Sequence, residues 1–368
     1  MVTLEGLPAG LPVTVDAIQA ELARRRLGYG RGPRMRFEQD EVTLLGGVLH
    51  GLTIGSPVAI TIANTEWPKW EATMSPDPGE TGRTLTQPRP GHADLAGMQK
   101  YGFDEVSKVL ERASARETAA RVAAGACAKA LLASLGVELL SHVIQLGPVV
   151  SKSHRRPAPS DREAVDSSPV RCFDPEAEAA MIAEVEAAMR DGDSLGGAIE
   201  VLGYGVPVGL GSHVHWDRKI DGLLCQALGS IQAVKAVEMG EGIDVAGRRG
   251  SAAHDAITWD EATGYRRESD LAGGIEGGIT TGALLVARAY MKPLATLARP
   301  TLGTVDVTTK EETVSFKERT DATAVPAMGV VAETMTALVL ASEALRKFGG
   351  DSVAELVRNR DAFVATLH

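Results

Sequence analysis

Cysteine is scarce in this sequence of 368 residues: Cys127, Cys172 and Cys225 are odd in number and lie far apart. That spacing fits neither a disulfide framework nor a paired-thiolate metal site, and it points to a reducing compartment. No apolar run reaches the roughly 18 residues that cross a bilayer. The opening Met1-Val-Thr-Leu-Glu-Gly6 has neither the basic stretch nor the apolar core of a secretory signal. These absences predict a cytoplasmic protein with no membrane partner. Net positive charge is missing too. At −10 the chain is not expected to bind nucleic acid, because such proteins use a basic surface to displace counterions from phosphates. Nor does a G-x-G-x-x-G follow any strand-like run, which removes the dinucleotide-binding fingerprint.

What is present describes a folded protein rich in tight turns, with 44% hydrophobic residues and 40 glycines. The length exceeds the roughly 250–300 residues at which one core usually stops growing. One large domain over residues 1–368 is nevertheless the reading adopted. Residues 15–26 read as a helix with Thr14 as N-cap and three arginines in the last turn, where the helix dipole favours cations. Strands are expected over 42–49 and 57–63, and the alanine-dense, proline-free stretch 104–135 reads as one long helix or two successive ones. A proline-rich surface loop is expected over about 151–175. Beyond it come a helix over 176–190, a strand near 197–208, a helix near 217–236 and a strand over 283–289. Two helices, 327–347 and 351–366, close the chain, the second capped by Asp351. Without strict βαβ repetition, this order favours an α+β fold with antiparallel sheets.

Several segments carry residues suited to anionic ligands. Arg24, Arg25, Arg26, Arg31, Arg34 and Arg36 crowd a short stretch of an otherwise acidic protein. Arg112 and Arg116, four residues apart with Ser114 between them, are expected on one helix face as a phosphate cradle. His92 follows a proline-rich loop, so a turn presents it where it can act as a ligand-dependent acid. Glycines 273, 274, 277 and 278 permit close backbone approach, and Lys292, Thr296, Arg319 and Asp321 bring cations beside a hydroxyl and an acid. His213 and His215 alternate as on a strand, but no third ligand accompanies them and no metal is expected. Taken singly, each of these also reads as an ordinary surface feature.

In order along the chain, the segments resemble the chorismate synthase family. The runs that carry the likeness are Leu22 to Gly32, Asn64 to Trp70, Arg89-Pro-Gly-His-Ala-Asp94, and Val109 to Arg121. Gly229 to Lys235, Ala272 to Gly278, Met291-Lys-Pro293 and Arg319-Thr-Asp321 complete it. The resemblance implies a helical layer sandwiched between antiparallel β-sheets, a homotetramer, and a lyase of the shikimate pathway of aromatic amino-acid biosynthesis. Such a lyase converts 5-enolpyruvylshikimate 3-phosphate to chorismate by 1,4-elimination of phosphate. It implies reduced FMN (FMNH2) as cofactor, with NADPH needed only indirectly, for flavin reduction by an external reductase.

By the same resemblance Arg25 and Arg31 would bind the substrate's anionic groups, positions the family also associates with NADPH. FMN contacts would fall on Arg112, Ala113, Ser114, Gln232, Ala233 and Gly277, and on Lys292, Pro293, Leu294, Ala295, Thr296 and Arg319. His92 would assist the departing phosphate, and Asp321 would help the flavin N5 take the substrate proton. Two departures stand out. Family members carry a Gly-Glu-Ser-His-Gly strand ahead of the stretch that here is Glu5-Gly-Leu-Pro8, which suggests a start upstream of Met1 and leaves, as the alternative, a truncated and catalytically impaired relative that binds FMN or phosphorylated ligands. Asp270 and Thr281 stand where asparagine is common in the family, and Asp270 would add negative charge if it faced the flavin.

Overall fold

Small side chains in the alanine-rich stretch let two long helices meet almost backbone to backbone. A Cβ placed on Gly125 would stand only 2.1 Å from Cβ of Thr334, so glycine is what allows the crossing. The structure is a computed structural model and describes residues 1–32, 38–79, 84–262, 264–316 and 320–367. The helices used below are α1 (Val15–Arg26), α2 (Asp94–Tyr101), α3 (Ser107–Ala113), α4 (Thr118–Ser134), α5 (Pro175–Asp191), α6 (Ile220–Gly229), α7 (Val325–Phe348) and α8 (Val353–Val364). The strands are β1 (Val2–Leu4), β2 (Val42–Gly46), β3 (Val58–Ile62), β4 (Glu138–Leu146), β5 (Val149–Val150), β6 (Gly197–Tyr204), β7 (Val234–Met239) and β8 (Leu285–Met291).

The architecture is the expected α+β sandwich. Helices α1, α4 and α7 form the middle layer. On one side lies an antiparallel sheet in the order β1-β3-β2, and on the other a five-stranded antiparallel sheet in the order β5-β4-β6-β8-β7. One apolar core runs through both interfaces, from Leu11, Ile18 and Leu22 through Leu131 and Leu139 to Val331, Leu340 and Leu356.

Local chemistry set most of the boundaries. Thr14 accepts a hydrogen bond from the Ala17 amide at 3.2 Å and starts α1 where the sequence placed it. Ser352, one residue beyond the expected Asp351, caps α8 in a reciprocal box with Glu355. The helix expected near 217–236 stops at Gly229, and Ala233, held at φ 67°, turns the chain into β7. The stretch 104–135 resolves into α3, a 3-10 turn over Ala115–Glu117, and α4, because Ser114 is extended at φ −63° and ψ 135°. The common helix face expected for Arg112 and Arg116 is therefore absent.

Residues 151–175 are not simply the surface loop that their prolines suggested. They contain a helix, Arg162–Ser167, with Val165, Val170 and Cys172 buried. Two arginines tie the segment inward. Arg156 donates to Glu200 at 2.9 Å on the outer face of the large sheet, and the fully buried Arg171 donates to the Ser141 carbonyl at 3.0 Å. Helix α7 also corrects the expectation that no apolar run is long enough for a bilayer, since its mean hydropathy reaches 1.5 over a membrane-length window. That window is 78% buried, so its apolar surface is used in the core.

Glu333, completely buried on α7, joins the layers. Its carboxylate accepts from Arg24 at 2.8 Å, Lys129 at 2.9 Å, Arg171 at 3.3 Å, and both the amide and hydroxyl of Ser141 at 2.8 and 2.7 Å. Burial alone would raise its pKa, but Arg24, Lys129 and Arg171 together hold it well below the usual carboxylate range. A carboxylate depressed in the folded state stabilises above its unfolded pKa of about 4.3, and that contribution is lost as pH falls through the folded value. Glu333→Gln should therefore cost about 3–5 kcal/mol near neutrality, because it leaves buried cations uncompensated. Urea denaturation should also show the variant losing less stability than the parent between about pH 5 and pH 2.

Candidate active site

A cleft of about 760 Å³ opens where the end of α1, the break after α3, the turn before β7 and the segment after β8 converge on α7. Met328 and Val331 of α7 contribute apolar wall, and charged and hydroxyl groups come from the loops.

Arg25 and Arg31 line it from the α1 side. Arg25 is held by Asp40 and Thr118, each at 3.3 Å, and Arg116 pairs with the same Asp40. Arg31 Nε lies 3.3 Å from Asp321 Oδ2, while Asp321 Oδ1 accepts from the Gly32 amide at 2.6 Å. Burial lowers the pKa of both arginines, only partly offset by Asp40 for the first and Asp321 for the second. Guanidinium stays charged in proteins, so the physical content is an undercompensated positive charge. Nε of Arg25 is buried without a hydrogen-bond partner, and Nε of Arg31 has the Asp321 ion pair without a hydrogen bond, so both side chains can still take up an anionic ligand.

His92 enters from the loop ahead of α2, with its side chain 21% exposed. Its Nδ1 is 2.5 Å from Oδ1 of Asp94, a fully buried carboxylate that also accepts from Arg89 Nε at 2.8 Å and the Arg89 amide at 3.0 Å. Arg89 donates from its other end to Thr296 at 2.9 Å and stacks its guanidinium 5.2 Å from the Phe316 ring centroid. Lys292 donates to the Gly91 carbonyl. The histidine loop and the segment 292–296 are thus clamped together at two points.

Ala113, Ser114, Gln232, Ala233, Lys292, Leu294, Ala295 and Thr296 line the same cleft. Gln232 donates to Glu117 at 3.1 Å, yet its Oε1 is buried with no partner, and a ring N–H would complete it. With a lysine and two hydroxyls nearby, this wall suits a flat, hydrogen-bonding, phosphorylated cofactor.

Other expected positions fall elsewhere. Arg112 is exposed and lines a second cleft of about 510 Å³ with Arg116, Arg121, Met335 and Leu338, because neighbouring residues on α3 point about 100° apart and Ala113 takes the main cleft. Gly277 sits in the turn between Ile275–Glu276 and Ile279–Thr280, and neither it nor Pro293 lines the main cleft. Asp270 faces Arg156 at 3.9 Å rather than the cleft, and burial raises its pKa. Arg319, like Arg34 and Arg36, lies outside the described residues. His213 and His215 lie in a bend region instead of a strand, and no group of three or more metal-binding side chains occurs among the described residues. Residue-type reasoning gave Arg89 and Asp94 no role; the available signal was an arginine and an aspartate flanking the histidine in one short motif.

Fold and cleft define the class: an α+β protein whose helical layer and antiparallel sheets frame a cleft lined by arginine, histidine, lysine and hydroxyl side chains. The chorismate synthase family profile matches residues 1–345. Chorismate synthase of Salinispora tropica is 58% identical, across 99% of this chain and 95% of its own length. That of Micrococcus luteus is also 58% identical, across 99% and 90%. A crystal structure of a chorismate synthase superposes with a TM-score of 0.80 at 37% identity, covering 99% of this chain and 93% of the other. The chain belongs to the chorismate synthase family, and it is a carbon–oxygen lyase acting on phosphate. A match over nearly the full length of these relatives disfavours the impaired-relative reading.

Charge-assisted bonds to a ligand oxyanion contribute about 1.5–3 kcal/mol each. Arg31→Ala should accordingly weaken binding of a phosphorylated ligand by about tenfold or more, measured by calorimetric titration. An unchanged Kd would remove Arg31 from the anion site.

Proposed function

We propose that this chain converts 5-enolpyruvylshikimate 3-phosphate to chorismate by 1,4-elimination of phosphate, with FMN bound in its reduced form. The observation that supports this most strongly is the convergence, in one cleft, of two undercompensated buried arginines, a histidine and an aspartate beside the Gln232 and Lys292–Thr296 wall. When bound, reduced FMN supplies an electron transiently to the substrate, which eases loss of phosphate, and recovers it afterwards.

The chain's own residues do the rest. Arg25 and Arg31 hold the substrate's phosphate and carboxylates, matching a ligand with three anionic groups to buried positive charge. His92 delivers a proton to the departing phosphate, and Asp321 would take part in removing the proton lost from the substrate, next to the residues that would hold the cofactor. Ser114, Gln232, Ala233, Lys292 and the residues Leu294 to Thr296 hold the cofactor, together with Arg319. Arg112, Gly277 and Pro293 stand outside the cleft of this chain and are not counted among its contacts. The reading extends to a cytoplasmic homotetramer that receives its reduced flavin from an external reductase, with NADPH acting only through that reductase.

His92→Ala should lower kcat by about 10²–10⁴-fold, the usual scale of general acid assistance, while flavin affinity changes little. Asp321→Asn should act similarly and alter the decay of the transient flavin absorbance. Near-normal turnover in either variant would withdraw that residue's role.

Anaerobic assays with chemically reduced FMN should yield chorismate, since no dinucleotide fingerprint provides for an independent NADPH-dependent flavin reductase. Equal activity from oxidised FMN and NADPH alone would contradict this source of reduced flavin.

A further inference from the structure

We infer that Asp94 is a positioning residue: it holds the proton on Nδ1 of His92, so that Nε2 is the nitrogen that serves the substrate. This rests on the role proposed above for His92 and adds which nitrogen acts and what dictates it.

The geometry leaves one consistent proton arrangement. Asp94 opens α2 and has no exposed surface. Its Oδ2 accepts from the amide and Nε of Arg89, and its Oδ1 from Arg89 Nη2 at 3.1 Å. Burial works against the charge of this carboxylate, but His92 and Arg89 outweigh it and hold the pKa far below the ordinary aspartate value. An ionised carboxylate has only lone pairs to offer, so a ring nitrogen 2.5 Å from Oδ1 must bring the hydrogen. Nδ1 is therefore the protonated nitrogen. Arg89 Nη2 lies 3.0 Å from Nδ1 and 3.4 Å from Nε2, but its hydrogen has the carboxylate oxygen as the stronger acceptor.

Asp94 acts through the imidazole, because a fully buried carboxylate meets no ligand directly, whereas His92 lines the cleft. Arg89 makes the arrangement rigid: bound to Asp94 on one side and to Thr296 on the other, it sets the imidazole against the segment proposed to hold the cofactor. Among the described residues, the charged groups bonded to the ring or its loop are Arg89 and Asp94 from its own motif and Lys292, whose amine is held at the Gly91 carbonyl.

The test is ¹⁵N NMR of the full chain labelled at histidine, with the His92 resonances assigned by their loss in His92→Ala. The expected neutral form has Nδ1 protonated and Nε2 free; a neutral form protonated at Nε2 overturns the inference. Kinetics with reduced FMN provide the second measure. Asp94→Asn should lower kcat by about 10- to 10²-fold, the scale on which carboxylate partners of functional histidines act, with KM and flavin affinity unchanged. A folded Asp94→Asn chain that keeps the parent kcat overturns the inference as well. If that variant fails to fold because Arg89 is left unpaired, the tautomer of the parent chain decides alone. Normal turnover in His92→Ala, by contrast, defeats the acid role of the histidine and leaves the tautomer measurement to judge Asp94 separately.

Discussion

The buried carboxylate of Glu333 is the constraint on which the arrangement of layers rests. It is reached by Arg24 from α1, Lys129 from α4, Arg171 from the segment before α5 and Ser141 from the large sheet. Separating any of these elements would strand charge in a dry interior at a cost of several kcal/mol, so the cluster imposes one registry on the middle layer. Its influence extends to the cleft. Arg24 and Arg25 are neighbours on α1 and point about 100° apart, so fixing Arg24 on Glu333 commits Arg25 to Asp40, Thr118 and the cleft. Met328 and Val331 belong to the same helix as Glu333 and form part of the cleft wall.

The site itself is assembled where regular structure fails. Ser114 interrupts what alanine content alone would have made one helix, and the break presents Ser114 and Ala115 to the cleft, whereas Arg112, still within α3, lines the second one. Ala233, at φ 67°, turns the chain between α6 and β7 and receives the Lys292 amide on its carbonyl at 3.0 Å. Polar groups in such breaks have no ladder or helix to satisfy them, which makes them available to ligands. The orphaned Nε of Arg25 and Oε1 of Gln232 are the side-chain counterpart of the same condition.

Much of the fold was legible in the residues. Helix α1 with its Thr14 cap, α5 with its Gly192 terminus, β3 with its alternating Val58, Ile60 and Ile62, and the apolar α7 all follow from periodicity and capping, which are local properties. The stretch 151–175 and the helix near 217–236 were misread for one physical reason. Proline counting and helical propensity record local preference, whereas Arg171 is bound to a carboxylate 162 residues away and β7 pairs with β8 about fifty positions later.

The sequence by itself determined which chemical groups were available and where helices and strands would start, because both depend on neighbours within a few residues. It determined the family as well, through motifs spread along the chain. Only the tertiary structure decided which of those groups share a cleft: it gathers Arg25, Arg31, His92, Gln232, Lys292 and Asp321, and it leaves Arg112 and Gly277 outside. It also decided that Arg89 and Asp94 serve His92 rather than each other alone. These outcomes depend on how far a helix turns before it breaks and on which buried charge finds which partner. Both are settled by packing between layers that no local pattern records.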